Sequence, residues 1–346
     1  MNRNKQTGLS LVELMIAITI GLVLMTGVVQ MFISSKSVFT TQQGLSRLQE
    51  TGRLAVEFIS RDLRQSGFLG CMYPTAWNID STLNPGHTFS PGFDFNQSMN
   101  VYAHDAVPGN IPLAPNPVED TPVLVLYAAS GDSANVSRTN TANTVFVNLT
   151  SGAGTVCPSG ICANDIVVIS DCDKAKIFQV TAVNESGAEV ALRHDAGAAP
   201  GNSRPIWGGD PNNLTETFEK ESDAEVFKLN RVAYYIGEDA DGNPGLYQQT
   251  NLDPSFELLR GVENLNILIG LDTNGDRAAD DYVAPAPALN WENAVAARIE
   301  VLVQTPDDNA TNEEQTYEFA GNEVTADDNR IRQVFTTTVG IRSRLP

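Results

Sequence analysis

The chain has 346 residues, enough for one large domain or two ordinary ones, and its hydrophobic share of 42% is that of a globular protein. Its formal net charge of -20 argues against a nucleic-acid-binding surface, because phosphate binding needs a basic face. The sequence contains no nucleophile elbow, no phosphate-cradling loop and no paired catalytic Cys and His signature, so an enzymatic function is not expected.

The first element is an apolar segment. Residues 9–33 form a nearly unbroken hydrophobic run in which Glu13 is the only ionisable side chain. As a helix, this run would rise about 37 Å, which is enough to cross a hydrocarbon core of about 30 Å. Arg3 and Lys5 precede the run, as the positive-inside rule expects of a cytoplasmic flank. The run therefore predicts a single membrane-spanning helix, and a simple signal anchor is the alternative on hydropathy alone.

Glu13 is the residue that a simple signal anchor does not explain. A carboxylate within a membrane segment costs roughly 2.5 kcal/mol or more unless it is neutralised or lies near the interface. Cleavage between Gly8 and Leu9 would create a new amino terminus four residues before Glu13. In a bundle of such helices, the amine of one subunit could pair with Glu13 of its neighbour and set the axial register.

The stretch around this acid carries a resemblance to a known superfamily. The sequence KQTGLSLVELMIAI resembles the type III signal of type IV prepilins, in which a basic leader ends in Gly and a Glu stands fifth in the mature chain. This resemblance implies that residues 1–8 are a leader peptide, removed after Gly8 by a prepilin peptidase that also methylates the amino group of Leu9. Leu9 departs from the pattern, because Phe is the commonest residue at that position.

Beyond the membrane run, the helix is predicted to continue as an amphipathic half over residues 34–66. Its apolar residues recur at helical spacing and should pack on a sheet; they are Val38, Leu45, Leu48, Leu54, Val56, Phe58, Ile59 and Leu63. Gly44 and Gly52 are expected to weaken the helix only locally. Gly67, Gly70 and Pro74 then predict a helix end near Ser66.

Residues 67–346 are predicted to form one β-rich globular domain. Short β-rich runs alternate there with Gly, Pro, Asn, Asp and Ser clusters. The expected strands are residues 123–127, 144–148, 165–170, 176–182, 189–193, 231–236, 263–271, 298–304 and 332–341. Segments 74–120 and 305–330 are expected to be loop insertions at the surface. The predicted class is α+β, with one long N-terminal helix on a mostly antiparallel sheet, as in type IV pilins.

Several later stretches narrow the resemblance to the PilW-type minor pilins. These stretches are RDLRQSGFLGC, NDIVVISDCDKAKIFQV, RVAYYIGEDADGNPGLYQ, LLRGVENLNILIGLDTNGD and VFTTTVGIRSRLP. The resemblance implies a low-abundance pilus subunit that primes assembly and lies at the filament tip, with expected roles in twitching motility and cell adhesion. A J-type pseudopilin of a type II secretion system is the alternative, because similar large subunits occur there.

The same resemblance implies a location and a set of partners. The chain is expected to cross the inner membrane once before assembly, with its globular domain in the periplasm, and to reach the cell-surface pilus afterwards. Its implied partners are the prepilin peptidase, the inner-membrane assembly platform, the major pilin, other minor pilins and a tip adhesin. No cofactor is expected to be required.

Four cysteines lie beyond the apolar run, and an even count there suits disulfides in an oxidising compartment. Cys157 and Cys162 flank a Pro- and Gly-containing turn that favours a local bridge. Cys71 follows the helix and Cys172 ends a predicted strand, so their bridge would join the helix exit to the sheet. Four cysteines allow three connectivities, and this pairing is the favoured one.

One acidic loop matches part of a calcium-binding pattern. Its candidate ligands are Asp272, Asn274, Asp276, the Ala278 carbonyl and Asp280, at positions one, three, five, seven and nine of such a loop. The pattern departs from an EF-hand, because Gly275 comes early and Val283 replaces the bidentate Glu. The alternative is a β-hairpin turn rich in Asp and Asn. Calcium binding is therefore a hypothesis beside the simple turn.

Overall fold

The computed structural model describes residues 10–71, 79–84, 98–109, 111–149, 157–197, 201–203, 217–251, 253–286, 288–306, 308, 311 and 314–345. The predicted leader 1–8 and the predicted cleavage residues Gly8 and Leu9 lie outside this range.

A single helix, α1, runs over Leu11–Gln65 and forms the spine of the molecule. At 1.5 Å per residue its 55 residues extend about 82 Å. Ser10 caps its start, and the Ser66 N–H bonds to the Leu63 carbonyl at its end, which is where Gly67 predicted a stop. One continuous helix therefore joins the predicted membrane half to the globular domain.

Seventeen strands follow in the described part of the chain. They are β1 Ile79–Ser81, β2 Met99–Ala103, β3 Pro122–Thr141, β4 Thr144–Asn148, β5 Ile166–Ser170, β6 Ala175–Gln179, β7 Ala182–Ser186, β8 Glu189–Arg193, β9 Glu225–Glu238, β10 Pro244–Thr250, β11 Phe256–Arg260, β12 Val262–Leu271, β13 Asp281–Val283, β14 Ala294–Gln304, β15 Thr316–Phe319, β16 Asn322–Thr325 and β17 Arg332–Gly340. Short 3-10 turns lie at Pro158–Gly160, Lys220–Ser222, Trp291–Asn293 and Arg342–Arg344. The fold is α+β, with one long N-terminal helix followed by a β-rich domain, as predicted.

The strands form two sheets and a separate hairpin. The large sheet has the order β1-β6-β5-β9-β3-β4-β8-β7, with β10 and β11 continuing beside β9 and β2 beside β3. The second sheet has the order β13-β12-β14-β17, and β15 pairs only with β16. Every pairing between these strands is antiparallel except that of β1 with β6. The predicted, mostly antiparallel domain is thus confirmed.

The long strands β3 and β9 pass through two hydrophobic cores. Near the spine, their buried residues Leu124, Leu126, Tyr234 and Ile236 pack with α1 and with the second sheet. At their other ends they contribute to a second core, built with β4, β5, β6 and β8 around Phe178 and Phe218. The globular domain therefore has a half that holds the spine and a half that stands away from it.

The buried stripe of α1 differs from the predicted one. Its members are Gly44, Leu48, Gly52, Ala55, Ile59, Ser60 and Leu63. Val38 and Leu54 were predicted to pack on the sheet, but both are exposed, because burial begins only at Gly44 and Leu54 lies on the opposite side of the helix. The two glycines that were predicted to weaken the helix are both buried, with Thr305 close to Gly44 and the Phe335 ring close to Gly52.

The two segments predicted as loop insertions contain paired strands. Segment 74–120 includes β1 and β2, and β2 pairs with β3 over five residues. Segment 305–330 includes the β15–β16 hairpin. The prediction missed them because each strand is at most five residues long, which is too short for a clear periodic pattern, and because β1 and β2 pair with distant strands.

We expect Gly52→Ala to destabilise the globular domain by about 1 to 2 kcal/mol. A Cβ at Gly52 would overlap the ring of Phe335 on β17, and overpacking costs about 1 to 3 kcal/mol, offset in part by the helix propensity of Ala. Urea unfolding followed by circular dichroism measures the change. The control is Gly27→Ala, where no atom lies within 4 Å of the added Cβ. Equal effects of the two variants would contradict the close approach.

Candidate functional site

The first half of α1 offers a continuous apolar surface. Its large hydrophobic side chains from Leu11 to Ile33 are 49% to 73% exposed. In the described part of the chain, α1 is the one helix that is long and apolar enough to cross a membrane. Since the first buried residue, Gly44, lies eleven residues beyond Ile33, the globular domain leaves this surface free for lipid or for other helices.

Glu13 lies at the N-terminal end of this surface and takes part in a capping box. The Ser10 N–H donates to Glu13 Oε2 at 2.9 Å, and the Glu13 N–H donates to Ser10 Oγ at 3.2 Å. Such a reciprocal cap satisfies two of the unpaired N–H groups of a helix start. The acid therefore helps to begin the helix, a role that the sequence analysis did not assign to it. Its predicted pairing with a neighbour's amine stays a prediction.

A polar contact fastens the other end of α1 to the large sheet. The Tyr234 hydroxyl on β9 donates to Asp62 Oδ2 at 2.7 Å, and the Gln248 side-chain amide donates to the same hydroxyl at 2.9 Å. Burial, together with the adjacent Asp62 carboxylate, raises the pKa of Tyr234. Sequence reasoning missed this contact because its partners lie 172 and 14 residues apart. It fixes the rotation of α1 on the sheet.

Two disulfides follow the connectivity favoured above. Cys71, just beyond α1, is bonded to Cys172 in the β5–β6 turn, 101 residues away. Cys157 is bonded to Cys162, five residues away, in the connection between β4 and β5. The longer bridge joins the exit of the spine to the half of the domain that stands away from it. It thereby limits how far the two halves can separate.

The candidate calcium loop connects β12 to β13 and is held by its own hydrogen bonds. Asp272 accepts the N–H groups of Gly275 at 2.6 Å and of Arg277 at 2.8 Å. Asp276 accepts the Ala278 N–H at 2.8 Å, while Asp280 accepts the Asn274 side-chain amide at 3.0 Å. No group of three or more His, Cys, Asp or Glu side chains suited to a metal ion occurs among the described residues, which include this whole loop. These bonds support the turn alternative, and calcium binding stays a prediction.

The two alternatives for this loop predict different mutational patterns. If the loop is a simple turn, Asp272→Ala should lower the Tm by about 2 °C or more in the presence of a chelator, because Asp272 accepts three backbone N–H groups. Asp276→Ala should lower it less, because Asp276 Oδ1 accepts one. Calorimetric heat on adding millimolar calcium, abolished by both substitutions, would establish a calcium site instead.

Two family models match the chain. The prokaryotic N-terminal methylation motif matches residues 3–29, which include the start of α1 and Glu13. The family described as type IV pilus-assembly protein W matches residues 233–343. The second match covers the last part of β9 and all of β10 to β17, the elements that hold the spine through Tyr234, Gln248 and Phe335. No curated protein and no solved structure matches the chain.

Proposed function

We propose that the chain is a PilW-type minor pilin of the type IV pilus, anchored in the membrane by its apolar helix, and that it primes filament assembly and lies at the filament tip. One observation carries the proposal. A single helix is docked on the sheet from Gly44 onward, while its first half leaves every large hydrophobic side chain exposed. A half-helix with this apolar surface needs an apolar environment, which a bilayer or a bundle of similar helices provides.

The proposed mechanism is a transfer of this half-helix between two apolar environments. Before assembly, the segment from Leu11 to Ile33 crosses the inner membrane and the globular domain lies in the periplasm. During assembly, the segment leaves the bilayer and exchanges its lipid contacts for packing against the spines of other subunits. The charge of Glu13 sets the register of that packing.

The proposed partners follow from this sequence of steps. The prepilin peptidase removes residues 1–8 and methylates Leu9, the assembly platform moves the processed subunit, and other minor pilins join it at the tip. The major pilin continues the filament, and a tip adhesin is carried by the minor-pilin complex, which links the subunit to twitching motility and cell adhesion. The role of the subunit is structural rather than enzymatic.

Deletion of the gene in its host tests the proposal. We expect loss of surface pili and of twitching, with unchanged secretion of exoproteins into the medium, and recovery when the gene is supplied in trans. Intact pili with lost secretion would assign the chain to the J-type pseudopilins. No change in either property would refute a role in assembly.

Substitutions at Glu13 should separate its charge from its capping role. Glu13→Gln keeps a side chain that can complete the capping box but removes the charge, whereas Glu13→Val removes both. If the charge sets the register, both variants are processed normally and both fail to enter sheared pili. Gly8→Val serves as a contrast, since it should leave the leader attached, as intact-mass analysis would show. Normal assembly of Glu13→Gln would contradict the register role.

A further inference from the structure

The last strand of the second sheet, β17, has one unpaired side. It pairs with β14 over its whole length, and no strand of the described chain pairs with its other side. The Arg332 N–H bonds outward to the Gln315 side chain, and the Ile341 N–H bonds inward to Val295. Because the direction alternates along an antiparallel strand, four residues in between point their N–H and C=O groups outward. We call these residues, Val334, Thr336, Thr338 and Gly340, the β17 edge.

The β17 edge lacks the features that protect the other sheet edges. Proteins block exposed edges with short strands, charged side chains or proline. The strands β1 and β13 have three residues each and contain Asp80 and Asp281. The strands β7 and β11 have five residues each and contain Glu185 and Glu257. The five-residue β2 begins with two buried residues.

By contrast, β17 has nine residues and has no charged side chain or proline after Arg332, where its sequence reads QVFTTTVG. Thr336 and Thr338 are exposed. An edge strand of this length and composition can accept a further strand by backbone hydrogen bonding.

The position of β17 places this edge beside the spine. Phe335 on β17 lies against α1 at Gly52, so the strand follows the part of the helix where the globular domain begins. A second subunit whose spine packs beside α1 would bring its own sheet close to β17. This step rests on the filament function proposed above.

The surroundings of the strand end suggest the charge of the partner. Just beyond Gly340, a cleft of about 490 Å³ is lined by Arg64, Arg342, Phe68 and Leu345. These two guanidinium groups are a local basic site in a chain of net charge -20. An acidic residue at the end of an incoming strand would complement them.

We infer that the β17 edge binds an extended strand from a different pilus subunit, which has no charged side chain along the paired residues and an acidic residue at its end that enters the Arg64–Arg342 cleft. The outward N–H and C=O groups at alternate residues form an array that another extended backbone matches. The uncharged side chains of the edge favour a partner strand that is uncharged along the residues that pair with it. A second copy of this chain is a poorer partner, because two chains of net charge -20 repel each other.

Photo-crosslinking in the host tests the inference with the full chain. A photoreactive residue replaces Thr338 on the β17 edge or, as the control, Asn184 on the edge of β7. We expect the residue at position 338 to crosslink to another subunit that carries an N-terminal methylation motif, identified by mass spectrometry, at least tenfold more than the residue at position 184. A crosslink to a second copy of this chain, equal yields at the two positions, or no crosslink would overturn the inference.

A proline substitution tests the backbone contribution. Thr336→Pro removes an outward N–H without removing a bond to β14, whereas Thr336→Val changes the side chain and keeps the N–H. In the deletion strain, Thr336→Val should restore pili and Thr336→Pro should not, and the crosslink from position 338 should fall at least tenfold in the proline variant.

Full restoration by a folded Thr336→Pro would overturn the edge proposal and leave the pilus function standing. If deletion itself leaves pili intact, the pilus function fails instead. Should the proline variant not fold, the crosslink from position 338 decides alone.

Discussion

Replacing Cys71 and Cys172 together by serine is expected to lower the free energy of unfolding by about 4 to 5 kcal/mol. The bridge closes a loop with a sequence separation of 101, and in the chain-entropy model a longer loop restrains the unfolded chain more. The bridge lies where the spine exits, and Leu69 and the residues around it pack on β5, β6 and β9 there. We therefore expect its removal to loosen this packing in particular. Urea unfolding of the full chain in detergent measures the change.

The second disulfide provides the matched control for this prediction. Cys157 and Cys162 close a loop with a separation of only five, for which the same model gives about 2 kcal/mol. The double serine variant at this pair should therefore cost less than half as much. Non-reducing peptide mapping must first find both bridges. Equal losses for the two variants, or a crossed connectivity, would contradict the prediction.

Lowering the pH from 7 to about 4.5 should destabilise the protein through His194 by up to about 3 kcal/mol. This side chain is fully buried next to the Phe178 ring, at 4.9 Å between centroids. Burial lowers the pKa of His194 from 6.5 to about 4, while Asp195 opposes the shift and Lys176 adds to it. Between pH 6.5 and 4 the unfolded chain binds a proton that the folded chain does not, so stability falls as the pH falls through this range.

The variant His194→Leu isolates this contribution. It removes the titrating group, so its free energy of unfolding should change less than that of the parent between pH 7 and pH 4.5. Urea unfolding at the two pH values measures both changes, and carboxylates with ordinary pKa values near 4 titrate mainly below this range. A variant that loses as much stability as the parent would refute the assignment to His194.

Much of the spine could be predicted without the structure because its signals are local. The apolar run, the single acid at Glu13 and the glycine after Ser66 all act within a few residues of where they stand. The globular domain was harder to predict, because its strand pairing joins distant segments. Nine strands were predicted, and the strand centred on Val125 proved to extend over twenty residues as β3. Eight strands of three to seven residues lay outside these nine.

The contacts that hold the spine also depend on segments that are distant in the sequence. A glycine such as Gly52 predicts a weaker helix from propensity alone, and only the position of Phe335 reveals that its missing side chain permits close packing. Likewise, the sequence does not distinguish Tyr234 from other aromatic residues in β-rich runs. Only the folded structure shows that its hydroxyl donates to Asp62. Such pairs depend on strand register, and strand register is decided over the whole domain.

The sequence alone therefore determined that the chain has one membrane-length helix with an acid near its start, a mostly β globular domain, and cysteines suited to two bridges. Its resemblance to prepilins added the class of protein. Only the tertiary structure decided which face of α1 meets the sheet, where the two cores separate, and that β17 is left with an open side. The physical reason is that periodicity and capping act over one or two helical turns, whereas packing faces and free sheet edges exist only when segments far apart in the chain come together.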